Sequence, residues 1–119
     1  MEVPIINRDE LKRLIETKGE YVLIDVREED ELKHGMIPTS KNVPMSEFNN
    51  FFDLDEKEFK EKFGFEKPKK GDNLIFYCRS GNRSHFATEV AAEKGYKKAK
   101  NYFGSTNDWS EIDSNVEKY

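Results

Sequence analysis

Cys78 is the only cysteine among 119 residues, and it opens the run CRSGNRS, with Arg79 next to it and Arg83 five positions on. The reactive form of cysteine is the thiolate. An ordinary thiol ionises near pH ~8.5, and this value falls to ~3.5–7.5 beside cations or a helix N-terminus. A thiolate so placed attacks an electrophilic atom and holds what it takes as a covalent intermediate. Gly81 lets the chain turn sharply without a side chain in the way. The N–H groups of such a turn can converge as an anion-binding nest, and a helix starting near Ser84 would add its positive end. Lowering a thiol by two pKa units takes about 2.7 kcal/mol. A helix end supplies only about 0.3–1 kcal/mol, so the turn amides and the guanidinium groups of Arg79 and Arg83 are expected to supply the rest. Cys78 is therefore the candidate nucleophile, and Arg79, Ser80, Gly81, Asn82, Arg83 and Ser84 are the candidate anion cradle. The plainer reading makes Cys78 a small buried hydrophobe. Two flanking arginines weigh against it, because charged side chains are rarely buried and should keep the loop open to solvent.

The loop follows Leu74-Ile75-Phe76-Tyr77, one of two continuous apolar runs; the other is Tyr21-Val22-Leu23-Ile24. Unbroken apolarity predicts strands buried on both faces, as in a parallel sheet covered by helices. Weaker strand signals lie at 41–43 and 99–103, and 3–6 supplies a fifth strand at an edge. Helices alternate with these runs. Asn7 with Glu10 and Asp55 with Glu58 have the spacing of capping boxes, and Gly19 and Gly64 are their stops. The stretch 84–94 sets Phe86, Ala87, Val90 and Ala91 on one stripe and ends at Gly95. Short helices are expected after Arg27, Met45 and Gly104. The fold class is therefore α/β, a mostly parallel five-stranded sheet with helices on both faces. In such sheets ligands bind outside the carboxyl ends of the strands, where Cys78 falls.

The length suits one domain over residues 1–119. Charged residues make up 37% of the chain, which raises the question of disorder. Leu, Ile, Val and Phe number 28 of 119, above the roughly 20% below which charged chains stay unfolded, and the net charge is only −4. Residues past about 110 carry few apolar side chains and are expected to fray. The acidic balance argues against nucleic acid as a partner. No apolar run exceeds about five residues against the ~20 needed to span a bilayer, so no membrane partner is expected. A lone thiol fits a reducing compartment, and the opening Met-Glu-Val-Pro lacks the plan of a secretory signal. A cytoplasmic or mitochondrial location is the expectation. Oligomeric state is not legible.

Three segments, in order, carry a resemblance to a known family. CRSGNR, Cys78 to Arg83, resembles the active-site loop of rhodanese-type sulfurtransferases. VLIDVREEDELKHGMIPTSKNVP, Val22 to Pro44, resembles their strand ending in Asp-Val-Arg and the Gly-x-Ile-Pro turn after it. NYFGSTNDW, Asn101 to Trp109, is similar to the closing Gly-x-x-x-x-Trp segment of single-domain members. The likeness is greatest to small thiosulfate sulfurtransferases, including the thiosulfate:glutathione type. It implies a rhodanese-like fold and transfer of sulfane sulfur through a Cys78 persulfide. Arg79 and Arg83 would hold the sulfonate of an anionic donor, and a thiol such as glutathione, or cyanide, would accept the sulfur. It implies no metal and no organic cofactor. Met36 stands where the family often has histidine, and Ser105 where a second glycine is frequent; both positions read as structural.

Other residues receive weaker assignments. Asp25 and Arg27 close a strand on the same edge of the sheet as Cys78 and could support the loop. The favoured reading is a structural ion pair with neighbouring charges such as Glu31. Asn107 and Trp109 could border the pocket, with Trp109 better read as a packing anchor. Phe48, Phe51 and Phe52 read as core. His85 reads as a solvated helix position, since His34 is the only other histidine and the two lack ligand spacing. Lys94, Lys97, Lys98 and Lys100 read as a solvated face. Two rivals are disfavoured: a cysteine-loop phosphatase or arsenate reductase, because its loop is one residue longer than the one from Cys78 to Arg83, and a non-catalytic interaction module, because it would typically lack the cysteine.

Overall fold

The computed structural model describes residues 2–119. Five strands, β1 (Ile5–Ile6), β2 (Val22–Asp25), β3 (Lys41–Asn42), β4 (Leu74–Tyr77) and β5 (Lys100–Tyr102), form one sheet in the order β1-β5-β4-β2-β3. Every pairing is parallel, with Val22 to Asp25 of β2 in register with Leu74 to Tyr77 of β4. β4 lies in the middle and all four of its residues are buried, which is why its sequence is apolar without alternation. Ile75 and Tyr77 enter one core with Leu11 and Trp109. Leu74 and Phe76 enter the other with Phe51, Phe59, Ala87 and Ala91. Side chains alternate across the sheet, so both cores draw on the same four-residue strand.

Helix α1 (Arg8–Glu16) and a short α5 (Ser105–Trp109) contribute to the first core; α2 (Phe48–Asp53), α3 (Glu56–Phe63) and α4 (Asn82–Glu93) form the second. Both expected capping boxes are present. Asn7 Oδ1 accepts the Glu10 N–H at 2.9 Å, and Asp55 Oδ1 accepts the Glu58 N–H at 2.8 Å. Each such cap stabilises its helix by about 1 kcal/mol. Short 3-10 helices follow Arg27 (Glu29–His34) and Pro44 (Met45–Glu47). Phe48 and Phe51 are buried, as expected of core residues, with Phe52 packed against them.

Two expectations need correction. The stripe assigned to 84–94 is wrong at Phe86, whose residue surface is 55% exposed, because the inner face of α4 is centred on Ser84, Ala87, Thr88 and Ala91 and Phe86 lies on the opposite side. Thr88 Oγ1 donates to the Ser84 carbonyl at 2.7 Å, which lets polar residues serve on the buried face. The segment past 110, expected to fray, is packed back against the domain. Val116 is 2% exposed within the first core, and the Glu117 N–H donates to the His34 carbonyl at 2.8 Å. Gly35, at φ +98°, makes room for this return: a Cβ there would collide with the Asn115 carbonyl oxygen. A sparse apolar pattern hid the tail because Val116 is its one buried aliphatic side chain, and its other anchors are hydrogen bonds and an aromatic stack.

Candidate active site

The loop leaves β4 at Tyr77 and closes on itself within six residues. Gly81 adopts φ +93°, and a Cβ at this position would strike the Phe103 carbonyl oxygen, so glycine is required on both counts. The turn brings the Gly81 N–H to within 3.1 Å of Cys78 Sγ and places Ser84 Oγ at 3.4 Å from it. Cys78 is 1% exposed, whereas Arg79, Ser80 and Asn82 are exposed and Arg83 is half-buried. The sulfur thus lies at the floor of a cradle whose rim meets solvent. Its burial does not make it an inert hydrophobe, because the polar groups around it point at the sulfur.

Burial alone would push the Cys78 thiol up. The Ser84 hydroxyl, with the N–H groups of Ser84, Gly81 and Ser80, outweighs that penalty and holds the thiol below its ordinary value. The main stabilisers are thus the loop's own donors rather than the two arginines expected to share the task. The Ser84→Ala variant should raise the thiol pKa. Alkylation by iodoacetamide depends on the thiolate, so its rate rises with pH through that pKa. Removing the hydroxyl must shift the rate profile toward higher pH, and an unmoved profile would rule Ser84 out as a stabiliser.

The loop is fastened from behind by β5 and the turn after it. The Cys78 N–H donates to Ser105 Oγ at 3.1 Å, and Ser105 Oγ donates to the Tyr102 carbonyl at 2.9 Å. Asn101 Nδ2 donates to the Gly81 carbonyl at 3.1 Å. The N–H groups of Thr106 and Asn107 donate to the carbonyls of Cys78 and Arg79 at 3.1 and 3.0 Å. Ser105 sits at φ +55°, left-handed backbone that favours glycine, which explains why glycine is frequent here in the resembling family. The serine adds a hydroxyl that glycine lacks. Asn101 and Ser105 were not among the expected site residues; the departure from glycine at Ser105 was the one signal available. Trp109 packs edge-on to Tyr102 as a 4% exposed anchor.

The charged rim differs from expectation. Arg83 grips Glu31 with two N–H···O bonds of 2.6 and 3.0 Å, and its remaining donors have no partner among the described residues. This grip holds the Glu31 carboxyl down at about 2. Because the folded value is depressed, the stability the pair contributes is present above the ordinary carboxyl value of 4.5 and is lost as pH falls toward about 2. Glu31 is therefore not the partner of Asp25 and Arg27. These two bind each other, fully buried, with Arg27 Nη2 and Nε at 2.7 and 3.0 Å from the Asp25 carboxylate. Arg27 Nη2 also reaches the Gly35 carbonyl at 2.8 Å, and Nη1 reaches the Tyr119 hydroxyl at 3.2 Å. His85 is half-exposed on α4, 3.4 Å from Glu89. Lys94, Lys97 and Lys98 are exposed, as expected of a solvated face, whereas Lys100 is half-buried and its Nζ donates to Asn73 Oδ1.

A lone thiol on the floor of an amide-lined cradle, at the carboxyl edge of a five-stranded parallel sheet, defines a cysteine-loop α/β protein. The chain belongs to the rhodanese-like domain family, whose pattern matches residues 7–112. It is 36% identical over 112 residues to the human thiosulfate:glutathione sulfurtransferase, covering 93% of this chain and 96% of that one. It is 47% identical over 90 residues to a putative mitochondrial thiosulfate sulfurtransferase of Schizosaccharomyces pombe, covering 76% of this chain and 63% of the relative. The chain thus spans less than two thirds of that yeast protein's length. The structure of a human single-domain sulfurtransferase superposes with a TM-score of 0.87 at 34% identity, over 94% of this chain and 99% of the other. Among the described residues, no helix is long and apolar enough to cross a membrane.

Proposed function

We propose that this protein is a thiosulfate sulfurtransferase that carries sulfur as a persulfide on Cys78. The Cys78 thiolate attacks the outer sulfur of thiosulfate. The sulfur–sulfur bond of the donor breaks, its electron pair leaves with sulfite, and Cys78 is left as a persulfide anion. A thiolate acceptor, glutathione being the candidate, then attacks the outer sulfur and departs as its own persulfide, returning the Cys78 thiolate. Cyanide in the same role leaves as thiocyanate. Each half is a displacement at sulfur with no net redox change, and the sequence is ping-pong.

The observation that carries this reading is the convergence of the Gly81 N–H and the Ser84 hydroxyl on Cys78 Sγ at 3.1 and 3.4 Å. Donors so placed favour the anionic nucleophile before reaction. They remain in position to favour a persulfide anion afterwards, in the manner of an oxyanion hole. The N–H groups of Ser80, Gly81 and Ser84 line the floor, with the backbone of Asn82 continuing the turn. Arg79 and the uncommitted donors of Arg83 meet the sulfonate oxygens, a task that suits a planar fork of N–H groups. Asp25 and Arg27 brace the neighbouring strand end. A reducing compartment, cytoplasmic or mitochondrial, suits an exchange that depends on a free thiol.

Intact-mass measurement after incubation with thiosulfate tests the reading. The protein should gain the mass of one sulfur atom, and excess glutathione should remove it. A protein that keeps its original mass, or one that hydrolyses phosphate esters while ignoring thiosulfate, would overturn the assignment.

A further inference from the structure

The segment expected to hang free delivers its last residue to the rim of the cradle. Tyr119 lies between two arginine side chains and a carboxylate that binds a third. Its hydroxyl donates to Glu31 Oε2 at 2.7 Å and accepts from Arg27 Nη1 at 3.2 Å. Its ring stacks on His34 with centroids 4.0 Å apart and planes 13° from parallel. Val116 and the Glu117-to-His34 hydrogen bond hold the backbone just before it. Tyr119 is therefore fixed on several sides by groups that are themselves fixed. Arg79 is different. It is exposed, and among the described residues its guanidinium has no hydrogen-bonding side chain or carbonyl; it lies over the Tyr119 ring, 4.4 Å from the centroid.

We infer that Tyr119 is a positioning residue for donor binding, its ring being the platform that holds the Arg79 guanidinium at the mouth of the Cys78 loop. The inference rests on the reading of Cys78 as a sulfur carrier fed by an anionic donor. A guanidinium over an aromatic face is attracted by the ring quadrupole. A long side chain so held has already lost rotamer freedom that an anion would otherwise have to remove on binding. Arg27 and the Glu31–Arg83 pair fix the ring, so the tail connects the three arginines of the site through one aromatic side chain. The effect belongs to donor capture, not to the displacement at sulfur, and so falls on KM rather than kcat.

Steady-state kinetics with thiosulfate as donor and cyanide as acceptor separate the possibilities. Tyr119→Leu, which fills much of the space without a π face, should raise the KM for thiosulfate about two- to fivefold, the equivalent of one exposed cation–π contact, with kcat unchanged. Tyr119→Phe keeps the face and the stack on His34 but loses the hydroxyl held by Glu31 and Arg27, and should raise the KM less than Tyr119→Leu does. Combining Tyr119→Leu with Arg79→Ala should add nothing to Arg79→Ala alone, because the ring acts through that arginine. A wild-type KM in Tyr119→Leu would overturn the inference. So would a lowered KM, a Phe variant as impaired as Leu, or effects that multiply in the double variant. Absence of any persulfide on the wild-type protein is a separate result, and it would sink the sulfur-carrier reading itself.

Discussion

Cys78→Ser should lower sulfur transfer by more than about a thousandfold while leaving the fold standing. An alkoxide is far harder to form than a thiolate at neutral pH, and an oxygen at this position cannot take on sulfur to become a persulfide. The loop itself tolerates the change. The serine oxygen is smaller than sulfur, and the Gly81 N–H and the Ser84 hydroxyl can still direct hydrogen bonds toward it. Tm should stay within a few degrees of wild type, and the mass gain with thiosulfate should disappear. A serine variant that still turned over thiosulfate would show that the sulfur passes through another group. No other cysteine exists in the chain to take its place.

The second large effect is on stability. Arg27 is 0% exposed and supplies the bonds that neutralise an equally buried Asp25. Arg27→Met keeps an unbranched apolar stem but leaves that carboxylate uncompensated inside the protein. Breaking a buried pair from one side typically costs about 3–5 kcal/mol. Since a domain of about this size loses roughly 3–5 °C of Tm per kcal/mol, a fall of roughly 10–25 °C is expected. Replacing both partners at once, Asp25→Asn with Arg27→Met, should recover part of the loss, because the stranded charge is gone. Thermal denaturation followed by circular dichroism reads both variants. A single variant within about 1 kcal/mol of wild type would mean that the pair is dispensable for the fold. The Arg27 guanidinium also meets the Tyr119 hydroxyl at 3.2 Å, so the single variant loosens the rim of the site as well.

Much of this architecture was legible in the chain because the signals are local. Leu74 to Tyr77 is apolar at consecutive positions, and only a strand covered on both faces asks for that. Asn7 with Glu10 and Asp55 with Glu58 are partners three residues apart, so their hydrogen bonds follow from spacing alone. The cysteine turn is of the same kind: Gly81 and Ser84 reach Sγ from three and six residues away. Phe86 shows where a local pattern misleads. Its apolarity suggested the inner face of α4, but the face that packs on the sheet carries Ser84 and Thr88 instead, and their polar groups are satisfied there.

The chain alone determined the nucleophile, the turn that carries it and the buried character of the strand before it, since each depends on residues close together in sequence. Tertiary structure decided what surrounds them. Arg83 meets Glu31 across 52 positions, Tyr119 meets Glu31 across 88, and Ser105 reaches the Cys78 N–H across 27. Pairings of that kind depend on which strand lies beside which and on where the tail re-enters the core. No spacing rule encodes those choices, because they are made when the β1-β5-β4-β2-β3 order brings distant strand ends to one edge.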